Sequence, residues 1–316
     1  MYKLKKLKVC FWGLGSIGKR HIKNLVKIPD ELDLKLEVHA YRKTKTQLPA
    51  DISNLIDNEI FDINCLSNDY DITFITNPTS EHYKTMEIMA SRTKHFFIEK
   101  PAFDNRHYNI VALKLNKNGI YYVAGPLRHS DVIQELKEIL PNENIYSIRS
   151  ICSSYLPDWR KGIDYRKTYS SSKAQGGGVS IDLIHEWDYI VDLFGFPNEV
   201  FKFQGKFSHL EIDSEDISVY IAKYKDKLVE IHLDYFSKVP RRTIEIFTKQ
   251  GMIIGDFINK RISFLDGKET IDFNLSNKDM YTEEMKYFIN AVINEDRSIN
   301  NLEHSYKVLK LAMGEI

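Results

Sequence analysis

A glycine-rich turn near the start of this 316-residue chain constrains its fold more than any other feature. The turn, Gly13-Leu14-Gly15-Ser16-Ile17-Gly18, follows an apolar segment at 8–12 that predicts a buried strand, and it opens a predicted helix at 17–27. Glycines allow a tight turn and a close approach of the backbone to a ligand, and the free N–H groups at a helix N-terminus receive a pyrophosphate. The alternative is a glycine-rich turn in an unrelated α/β protein. The succession of strand, motif and helix favours dinucleotide binding by Gly13, Gly15, Ser16, Ile17 and Gly18.

The rest of the chain divides into two patterns. Up to residue 123, predicted strands at 34–41, 71–75, 96–98 and 120–123 alternate with predicted helices at 81–90 and 108–115, which is typical of a parallel sheet covered on both faces. A strand is predicted at 145–155, and between 200 and 265 segments alternate apolar and polar residues around a tight turn at Lys225–Asp226, which indicates antiparallel strands. Helices are predicted at 281–293 and 302–313. We therefore expect an α/β chain with a dinucleotide-binding domain, 1–124, followed by an α+β domain, 125–316, with a large, mostly antiparallel open sheet.

Charge and cysteine content restrict the partners and the compartment. Lys plus Arg and Asp plus Glu each number 44, and this zero net charge argues against a nucleic-acid or membrane-surface partner. Three cysteines, Cys10, Cys65 and Cys152, are too few for a disulfide framework or a thiolate metal site and fit a reducing, cytoplasmic setting. Four lysines from Lys3 to Lys8 precede an apolar stretch, but glycines interrupt it and no small-residue cleavage site follows, so we expect no signal peptide.

The end of the second predicted strand should select the cofactor. A carboxylate at this position would accept hydrogen bonds from a ribose 2′-hydroxyl and select NAD. The sequence instead has Arg42 and Lys43, with Arg42 lying 24 positions after Gly18 (42 − 18). A guanidinium can bind a 2′-phosphate through two hydrogen bonds, although such a pair can also be a solvated loop charge. The pattern favours NADP, with NAD as the alternative.

Three further segments carry a resemblance to a known family. They are Ile-Thr-Asn-Pro-Thr-Ser-Glu-His at 75–82, Glu99-Lys100-Pro101, and Gly-Gly-Gly-Val-Ser-Ile-Asp-Leu-Ile-His at 176–185. Their order and spacing resemble the glucose-fructose oxidoreductase/inositol dehydrogenase (Gfo/Idh/MocA) family over nearly the whole chain. The resemblance implies a Rossmann domain followed by a domain with a large antiparallel sheet, a nicotinamide cofactor and sugar or polyol substrates. It also implies cofactor contacts from Asn77, Pro78, His82, Glu99 and Lys100.

The same resemblance assigns the candidate catalytic residues. Lys100 matches the position of the family's catalytic lysine, whose ammonium would polarise the reacting oxygen. His185 is the candidate acid/base, and Asp182 would orient its ring if both side chains shared one face of a helix. The family more often separates this pair by four residues and not by three, so Asp182 has a capping role as an equal alternative. The Lys100–Pro101 bond could be cis.

A metal site is the competing interpretation of the third segment. Asp182, His185 and Asp188 could ligate a divalent ion from one helix face, but the sequence lacks a His-Glu-x-x-His motif and a cysteine pair. We therefore expect no metal. The triple glycine is better explained by a close approach of the backbone to the nicotinamide and the substrate.

The segment 155–169 is the candidate substrate-binding loop. It interleaves aromatic residues with cations, so that Trp159 and Tyr165 can cover the C–H surface of a sugar while Arg160 and Arg166 bind a carboxylate or a diphosphate. A solvated loop is the alternative. The Asp-Trp-Arg and Asp-Tyr-Arg patterns resemble the branch of the family associated with surface-polysaccharide and acidic-sugar biosynthesis.

Together these features predict an NAD(P)-dependent oxidoreductase that interconverts a hydroxyl and a ketone on a nucleotide-activated or acidic sugar. The alternatives are a reductase or dehydrogenase of a non-sugar carbonyl or dihydrodiol and a cofactor-sensing regulator without activity, against which Lys100 and His185 argue. A homodimer or homotetramer through the C-terminal sheet is also expected, because both faces of its strands are apolar. One predicted face comprises Ile217, Val219, Ile221, Val229, Ile231 and Leu233, and the other comprises Phe201, Phe203, Tyr220, Tyr224 and Phe236.

Overall fold

A computed structural model of the chain describes residues 5–28, 32, 34–298 and 300–315. Lys3, which belongs to the N-terminal lysine group considered above, lies outside these residues. The chain divides into two compact units, Met1–Pro126 with Tyr281–Tyr306, and Leu127–Met280 with Lys307–Ile316. The expected division after residue 124 does not include this return of the chain to the first unit. Within the described stretches, no helix combines the length and the apolar character needed to cross a membrane.

The first unit contains a six-stranded parallel sheet with the order β3-β2-β1-β4-β5-β6. Its strands are β1 (Lys5–Trp12), β2 (Leu34–Tyr41), β3 (Asn58–Ile60), β4 (Tyr70–Ile75), β5 (Thr93–Ile98) and β6 (Tyr121–Val123), and its first helices are α1 (Ser16–Leu25), α2 (Ala50–Ser53) and α3 (His82–Met89). The carboxyl ends of parallel strands meet at one edge of a sheet, and dinucleotides bind at that edge. The glycine turn after β1, Arg42 after β2, Asn77 after β4 and Glu99 after β5 all lie there. The predicted Rossmann domain is confirmed.

Aromatic packing explains why residues 281–306 belong to the first unit. The rings of Phe11 and Phe74 stack with centroids 4.4 Å apart at the centre of the core. Helix α7 (Met280–Asn294) places Phe288 edge-on against Phe74 and Phe97, at 6.2 and 5.3 Å. Phe288 is fully buried, so α7 covers apolar rings that would otherwise be exposed. The last helix, α8, spans Leu302–Ala312.

The second unit contains an eight-stranded sheet with the order β14-β13-β12-β11-β7-β10-β9-β8. Its strands are β7 (Ile145–Tyr155), β8 (Glu199–Gly205), β9 (Ile217–Lys223), β10 (Leu228–Asp234), β11 (Phe236–Thr248), β12 (Met252–Asp256), β13 (Arg261–Phe264) and β14 (Ile271–Asp272). Its helices are α4 (Asp131–Ile139), α5 (Val179–Asp182) and α6 (His185–Phe194). Only the β7–β10 pair is parallel among these eight strands. The predicted large, mostly antiparallel sheet is confirmed.

The predicted faces of this sheet are partly wrong. Residues that pair across antiparallel strands lie on the same face, and Ile231 of β10 pairs with Tyr220 of β9. Tyr220 is therefore buried on the inner face, and Val219 and Ile221 lie on the outer face. There they pair with exposed Phe203 and Phe201 of β8. The inner face of β9 is predicted wrongly because Tyr220 alternates with the aliphatic residues Val219 and Ile221, which suggests that the aliphatic side is the covered one.

The helix predicted at 108–115 is also wrong. The structure has only a short 3₁₀ turn, Ile110–Leu113, at this place. The Asn109 side chain accepts hydrogen bonds from the backbone N–H groups of Val111 and Ala112, and Lys114 ends the turn in the left-handed conformation with φ +49°. A capping asparagine satisfies the local backbone without a longer helix.

Candidate active site

The glycine turn is shaped by close contacts that only glycine permits. Gly13 has φ +98°, and a Cβ atom at this position would lie 3.1 Å from the backbone of Asn77. A Cβ atom at Gly18 would lie 2.6 Å from the Gly13 carbonyl oxygen and 2.8 Å from the Thr76 hydroxyl. Gly15 caps helix α1 without a side-chain hydrogen bond and faces open space. The first N–H groups of α1, from Ser16 onward, are therefore placed to receive an anion, and the turn fits a dinucleotide pyrophosphate.

Asn77 continues this site after β4. Its amide nitrogen donates to Thr85 Oγ1 at 2.9 Å, and its Oδ1 atom is buried without a hydrogen-bond partner among the described residues. His82 is fully buried, with Nε2 3.0 Å from the Asn77 carbonyl oxygen and Nδ1 3.2 Å from that of Ala102. Burial lowers the pKa of His82. This arrangement makes His82 a positioning residue for the turn that contains Asn77 and Pro78.

The Glu-Lys-Pro segment is anchored by a histidine that the sequence analysis did not select. His21 of α1 is fully buried, and its Nε2 atom makes a short hydrogen bond with Glu99. Burial opposes the charge of Glu99, but the hydrogen bond and the charge of His21 prevail, so the pKa of Glu99 is lowered. The Lys100 backbone N–H donates to the second oxygen of Glu99 at 3.2 Å, and the Lys100–Pro101 peptide bond is cis. The backbone of Lys100 at the end of β5 is thus held by Glu99, which is itself held by His21.

The two cations at the end of β2 are already paired with carboxylates. Arg42 is only 8% exposed, and its terminal nitrogens contact Glu59 and the carbonyl oxygen of Thr46. The Lys43 ammonium lies 2.5 and 2.7 Å from the two carboxylate oxygens of Glu81, and this hydrogen bond lowers the pKa of Glu81. Arg42 therefore lies at the expected position at the end of β2, but Glu59 and Thr46 already bind its guanidinium.

The candidate acid/base pair lies in the second unit at a break between two helices. Asp182 is the last residue of α5, His185 is the first residue of α6, and Leu183 between them leaves the helical conformation with ψ +25°. Asp182 and His185 therefore do not lie on one continuous helix, which is the condition for the expected orienting role of Asp182. The short spacing of three residues coincides with this break.

Two tyrosines, which the sequence analysis did not select, surround Asp182. The Tyr235 hydroxyl donates to the Asp182 carboxylate at 2.5 Å, and Asp182 is 6% exposed. Burial first, and then the Asp182 charge, raises the pKa of both Tyr235 and Tyr169. Both hydroxyls consequently keep their protons at neutral pH, and they can orient the carboxylate.

Asp188 has a structural role. Its carboxylate accepts two hydrogen bonds from Arg128, at 2.7 and 2.8 Å, in a buried pair. Such a bidentate pair engages both carboxylate oxygens and leaves little capacity for another ligand. The described part of the chain contains no group of three or more His, Cys, Asp or Glu side chains arranged to hold a metal ion.

The triple glycine permits close contacts inside the protein. A Cβ atom at Gly177 would lie 2.0 Å from the Tyr169 carbonyl oxygen, and one at Gly178, where φ is +140°, would lie 2.3 Å from the Glu215 carboxylate. The Ser180 hydroxyl donates to Glu215 at 2.5 Å. These contacts account for Gly177 and Gly178 within the protein, and the expected approach of this segment to nicotinamide and substrate stays a prediction. Glu215 is a further acidic residue of this region that the sequence analysis missed.

The candidate substrate loop carries one cation near the tyrosines and one that is neutralised. Trp159 packs edge-on against Tyr235 with ring centroids 5.2 Å apart, and the Arg160 guanidinium lies 5.8 Å from the Tyr169 ring. Arg166 is instead bound by Asp164 at 2.9 and 3.0 Å and by Glu211 at 3.3 Å. The Tyr165 hydroxyl accepts a hydrogen bond from the Glu211 backbone N–H at 3.1 Å. The cavity beneath the loop measures only about 10 Å³, which is too small for a sugar.

Two family descriptions match the chain. Residues 7–120 match an oxidoreductase family with an NAD-binding Rossmann fold, and residues 133–254 match the GFO/IDH/MocA C-terminal domain. The chain belongs to the Gfo/Idh/MocA family of oxidoreductases. This confirms the family, the oxidoreductase class and the NAD-binding fold, whereas the polysaccharide-biosynthesis branch stays a prediction. A curated member of similar sequence, an uncharacterized oxidoreductase, YrbE, of Bacillus subtilis (strain 168), is 25% identical over 303 residues, covering 89% of this chain and 84% of the relative.

Several solved structures share the fold of this Gfo/Idh/MocA oxidoreductase. Levoglucosan dehydrogenase in complex with NADH and levoglucosan superimposes with a TM-score of 0.83 at 16% identity, over 98% of this chain and 96% of that chain. UDP-N-acetylglucosamine 3-dehydrogenase GnnA from Acidithiobacillus ferrooxidans has a TM-score of 0.77 at 17% identity, with the same coverage of 98% and 96%. Myo-inositol 2-dehydrogenase from Lactobacillus plantarum has a TM-score of 0.76 at 20% identity, again over 98% and 96%. At these identities the likeness concerns the fold.

Proposed function

We propose that this protein is an NAD(P)-dependent dehydrogenase that interconverts a hydroxyl and a ketone on a sugar. The observation that carries the proposal is the ordered Glu99–Lys100 segment at the carboxyl end of β5, in the same unit as the glycine turn. The fold relatives named above act on levoglucosan, UDP-N-acetylglucosamine and myo-inositol, and these names support a sugar or polyol substrate.

Lys100 and His185 divide the chemistry in this proposal. Oxidation of a secondary alcohol removes a hydride from carbon and a proton from the hydroxyl oxygen. The nicotinamide dinucleotide, when bound, accepts that hydride or, in the reverse direction, supplies it. Lys100 donates a hydrogen bond to the reacting oxygen and stabilises the negative charge that develops on it, while His185 takes the hydroxyl proton. Asp182, which accepts a hydrogen bond from Tyr235, is proposed to orient the His185 ring, with a capping role as the alternative.

A narrower proposal concerns the cofactor and the substrate. NADP, with NAD as the alternative, is the proposed cofactor because Arg42 and Lys43 stand at the end of β2, although each is paired with a carboxylate in the structure. A nucleotide-activated or acidic sugar of surface-polysaccharide biosynthesis remains the proposed substrate class, and its support now depends on Arg160, because Arg166 already faces Asp164 and Glu211. A guanidinium beside an aromatic ring is suited to a carboxylate or a phosphate.

The protein is also proposed to form a homodimer or a homotetramer through the outer face of the C-terminal sheet. Exposed Phe201 and Phe203 on β8 support this arrangement, since contiguous exposed apolar residues commonly mark an interface.

The three free cysteines support the proposed reducing, cytoplasmic setting of the protein.

A substrate panel tests the proposed function. The protein is incubated with NADP⁺ or NAD⁺ and with levoglucosan, myo-inositol or UDP-N-acetylglucosamine, and formation of the reduced cofactor is followed by absorbance. We expect turnover of a sugar, fastest with the anionic one, and a rise of KM for that sugar in Arg160→Ala. The matched control is Lys161→Ala, which removes an adjacent exposed cation. Cofactor binding without turnover of any sugar, polyol or corresponding ketone would contradict the proposal.

A further inference from the structure

We propose that Glu59 sets the preference of this protein between NADPH and NADH by controlling whether Arg42 is available to a 2′-phosphate. The inference rests on the proposed function only in that the N-terminal unit binds a nicotinamide dinucleotide. Glu59 lies on β3 and belongs to none of the sequence motifs described above.

Strand pairing brings Glu59 next to the end of β2. In the parallel β2–β3 ladder, Ala40 pairs with Glu59 and Tyr41 pairs with Ile60. The Arg42 backbone N–H donates to the Ile60 carbonyl oxygen at 2.9 Å, which continues the ladder by one residue beyond β2. The position of Arg42 relative to Glu59 is therefore fixed by backbone hydrogen bonds and does not depend on a mobile surface loop.

Both terminal nitrogens of the Arg42 guanidinium are engaged in this position. One terminal nitrogen contacts Glu59, and the other contacts the Thr46 carbonyl oxygen and lies 3.1 Å from the Thr46 hydroxyl. The Arg42 side chain is 8% exposed, whereas the Glu59 side chain is 31% exposed. A phosphate bound through two hydrogen bonds needs a free pair of N–H donors. Here a 2′-phosphate that binds both terminal nitrogens of Arg42 must displace Glu59 and Thr46.

Charge strengthens this competition. A phosphate monoester carries about −1.5 to −2 charge at pH 7, so a 2′-phosphate at Arg42 would also face the Glu59 carboxylate. NADH has only a hydroxyl at this position and meets no such repulsion. The second cation, Lys43, is paired with Glu81, but its side chain is 62% exposed, and an exposed ion pair is weak. Glu59, which contacts the buried Arg42, is therefore the carboxylate that we expect to control the preference.

A double-mutant cycle tests the proposal by cofactor binding alone. Dissociation constants for NADPH and NADH are measured by calorimetric or fluorescence titration for the wild-type protein, Glu59→Gln, Arg42→Gln and the double variant. Glu59→Gln keeps the shape and removes the charge, and it should lower Kd for NADPH about tenfold relative to Kd for NADH. The loss of NADPH affinity caused by Arg42→Gln should be larger in the Glu59→Gln background than in the wild type by a similar factor. Glu87→Gln, an equal change of charge at an exposed position of α3, is the matched control and should leave the ratio unchanged.

The possible outcomes separate the two proposals. Binding of neither cofactor to the wild type contradicts the proposed function. Binding of both cofactors with an unchanged ratio in Glu59→Gln overturns the role of Glu59 and leaves the proposed function intact. A gain for NADPH that persists fully without Arg42 also overturns it, because Glu59 would then act directly on the ligand. The folding of each variant is checked by circular dichroism. If Glu59→Gln does not fold, Glu59→Ala takes its place in the cycle.

Discussion

His21 and Glu99 form a buried hydrogen bond next to Lys100 in the sequence. His21 is fully buried and Glu99 is 9% exposed, so neither side chain can regain its hydration if the other is lost. Removing one partner of a buried pair typically costs more than the pair itself contributes, because the remaining charge is left without compensation.

We predict that His21→Ala lowers the free energy of unfolding by about 3 kcal/mol. The measurement is urea denaturation near neutral pH, where Glu99 is ionised. His107→Ala, which removes an exposed imidazole from the same unit, is the control and should change the value by less than about 0.5 kcal/mol. Equal values for the two variants would show that His21 does not stabilise Glu99.

Some residues of the candidate site can be identified from the sequence, and others cannot. Gly13 and Gly18 are predicted because local backbone geometry requires glycine, and Lys100 is selected because its neighbours form a motif. His21 and Glu215 are not predicted, because their partners lie 78 and 35 positions away in the chain. Such contacts exist only after the sheets have formed.

At the scale of elements, the start of α5 has a glycine in a conformation that other residues rarely adopt. Gly178 caps α5 with φ +140°, and an added Cβ atom would lie 2.3 Å from Glu215. Gly162 also has a positive φ, +77°, but it faces open space. Gly178 also has ψ +150°, and this combination of φ and ψ is essentially restricted to glycine.

Gly178→Ala should therefore destabilise the protein more than Gly162→Ala does. Backbone strain should cost Gly162→Ala about 1–3 kcal/mol, and Gly178→Ala should lose more, because its backbone conformation is essentially restricted to glycine and the Glu215 side chain must move. Thermal and urea unfolding of both variants provide the measurement. Indistinguishable losses would contradict this requirement for glycine at position 178.

His129 ends the helical turn Pro126–His129 before α4 and should make stability depend on pH. Burial, followed by the charges of Lys137 and Arg128, lowers the pKa of His129 from 6.5 to about 4. Between these two values the unfolded chain binds a proton that the folded protein does not, so stability falls as the pH drops from 6.5 to 4.

Through His129, the wild-type protein should lose about 3 kcal/mol of unfolding free energy as the pH falls across this range, and His129→Gln should not show this loss. Urea unfolding at several pH values between neutrality and pH 4 measures it, and His209→Gln, which changes an exposed imidazole, is the control. A pH dependence identical in His129→Gln and the wild type would exclude His129 as its source.

Elements are predicted well where periodicity and burial agree. The segments 9–12 of β1, 72–75 of β4 and 96–98 of β5 are buried on both faces and almost entirely apolar, so their pattern predicts these strands directly. The β9 face is mistaken because its register with β10, and not its own alternation, decides which side is covered. The break between Asp182 and His185 is missed because the apolar residues Leu183 and Ile184 between them carry no helix-breaking signal.

At the scale of the whole molecule, the outer face of the C-terminal sheet is the surface that the proposed assembly would use. Exposed Phe201 and Phe203 pair with Ile221 and Val219, and a groove of about 560 Å³ extends from these strands past Arg149. The apolar residues of β8 and β9 lie near Arg149, which pairs with Glu230 in the same chain. Such a surface is suited to a contact between two identical faces.

We predict that light scattering of the wild type returns a multiple of 37.0 kDa, and that Phe203→Glu shifts it toward that monomer mass. A carboxylate at this 68% exposed position would be buried without a partner in the assembly. Leu275→Glu, at a 96% exposed position after β14, is the control. A monomeric wild-type protein at micromolar concentration would contradict the proposed assembly.

The measurement that tests the account most directly compares turnover and cofactor affinity in Lys100→Met. Since Lys100 is proposed to stabilise charge on the reacting oxygen, kcat should fall by about 100–1,000-fold while Kd for the cofactor stays within about threefold of the wild type. Lys94→Met, an exposed lysine on the same strand, should leave both values unchanged. Near-normal turnover in Lys100→Met, with the substrate that the panel identifies, would contradict the catalytic role of Lys100 and with it the proposed mechanism.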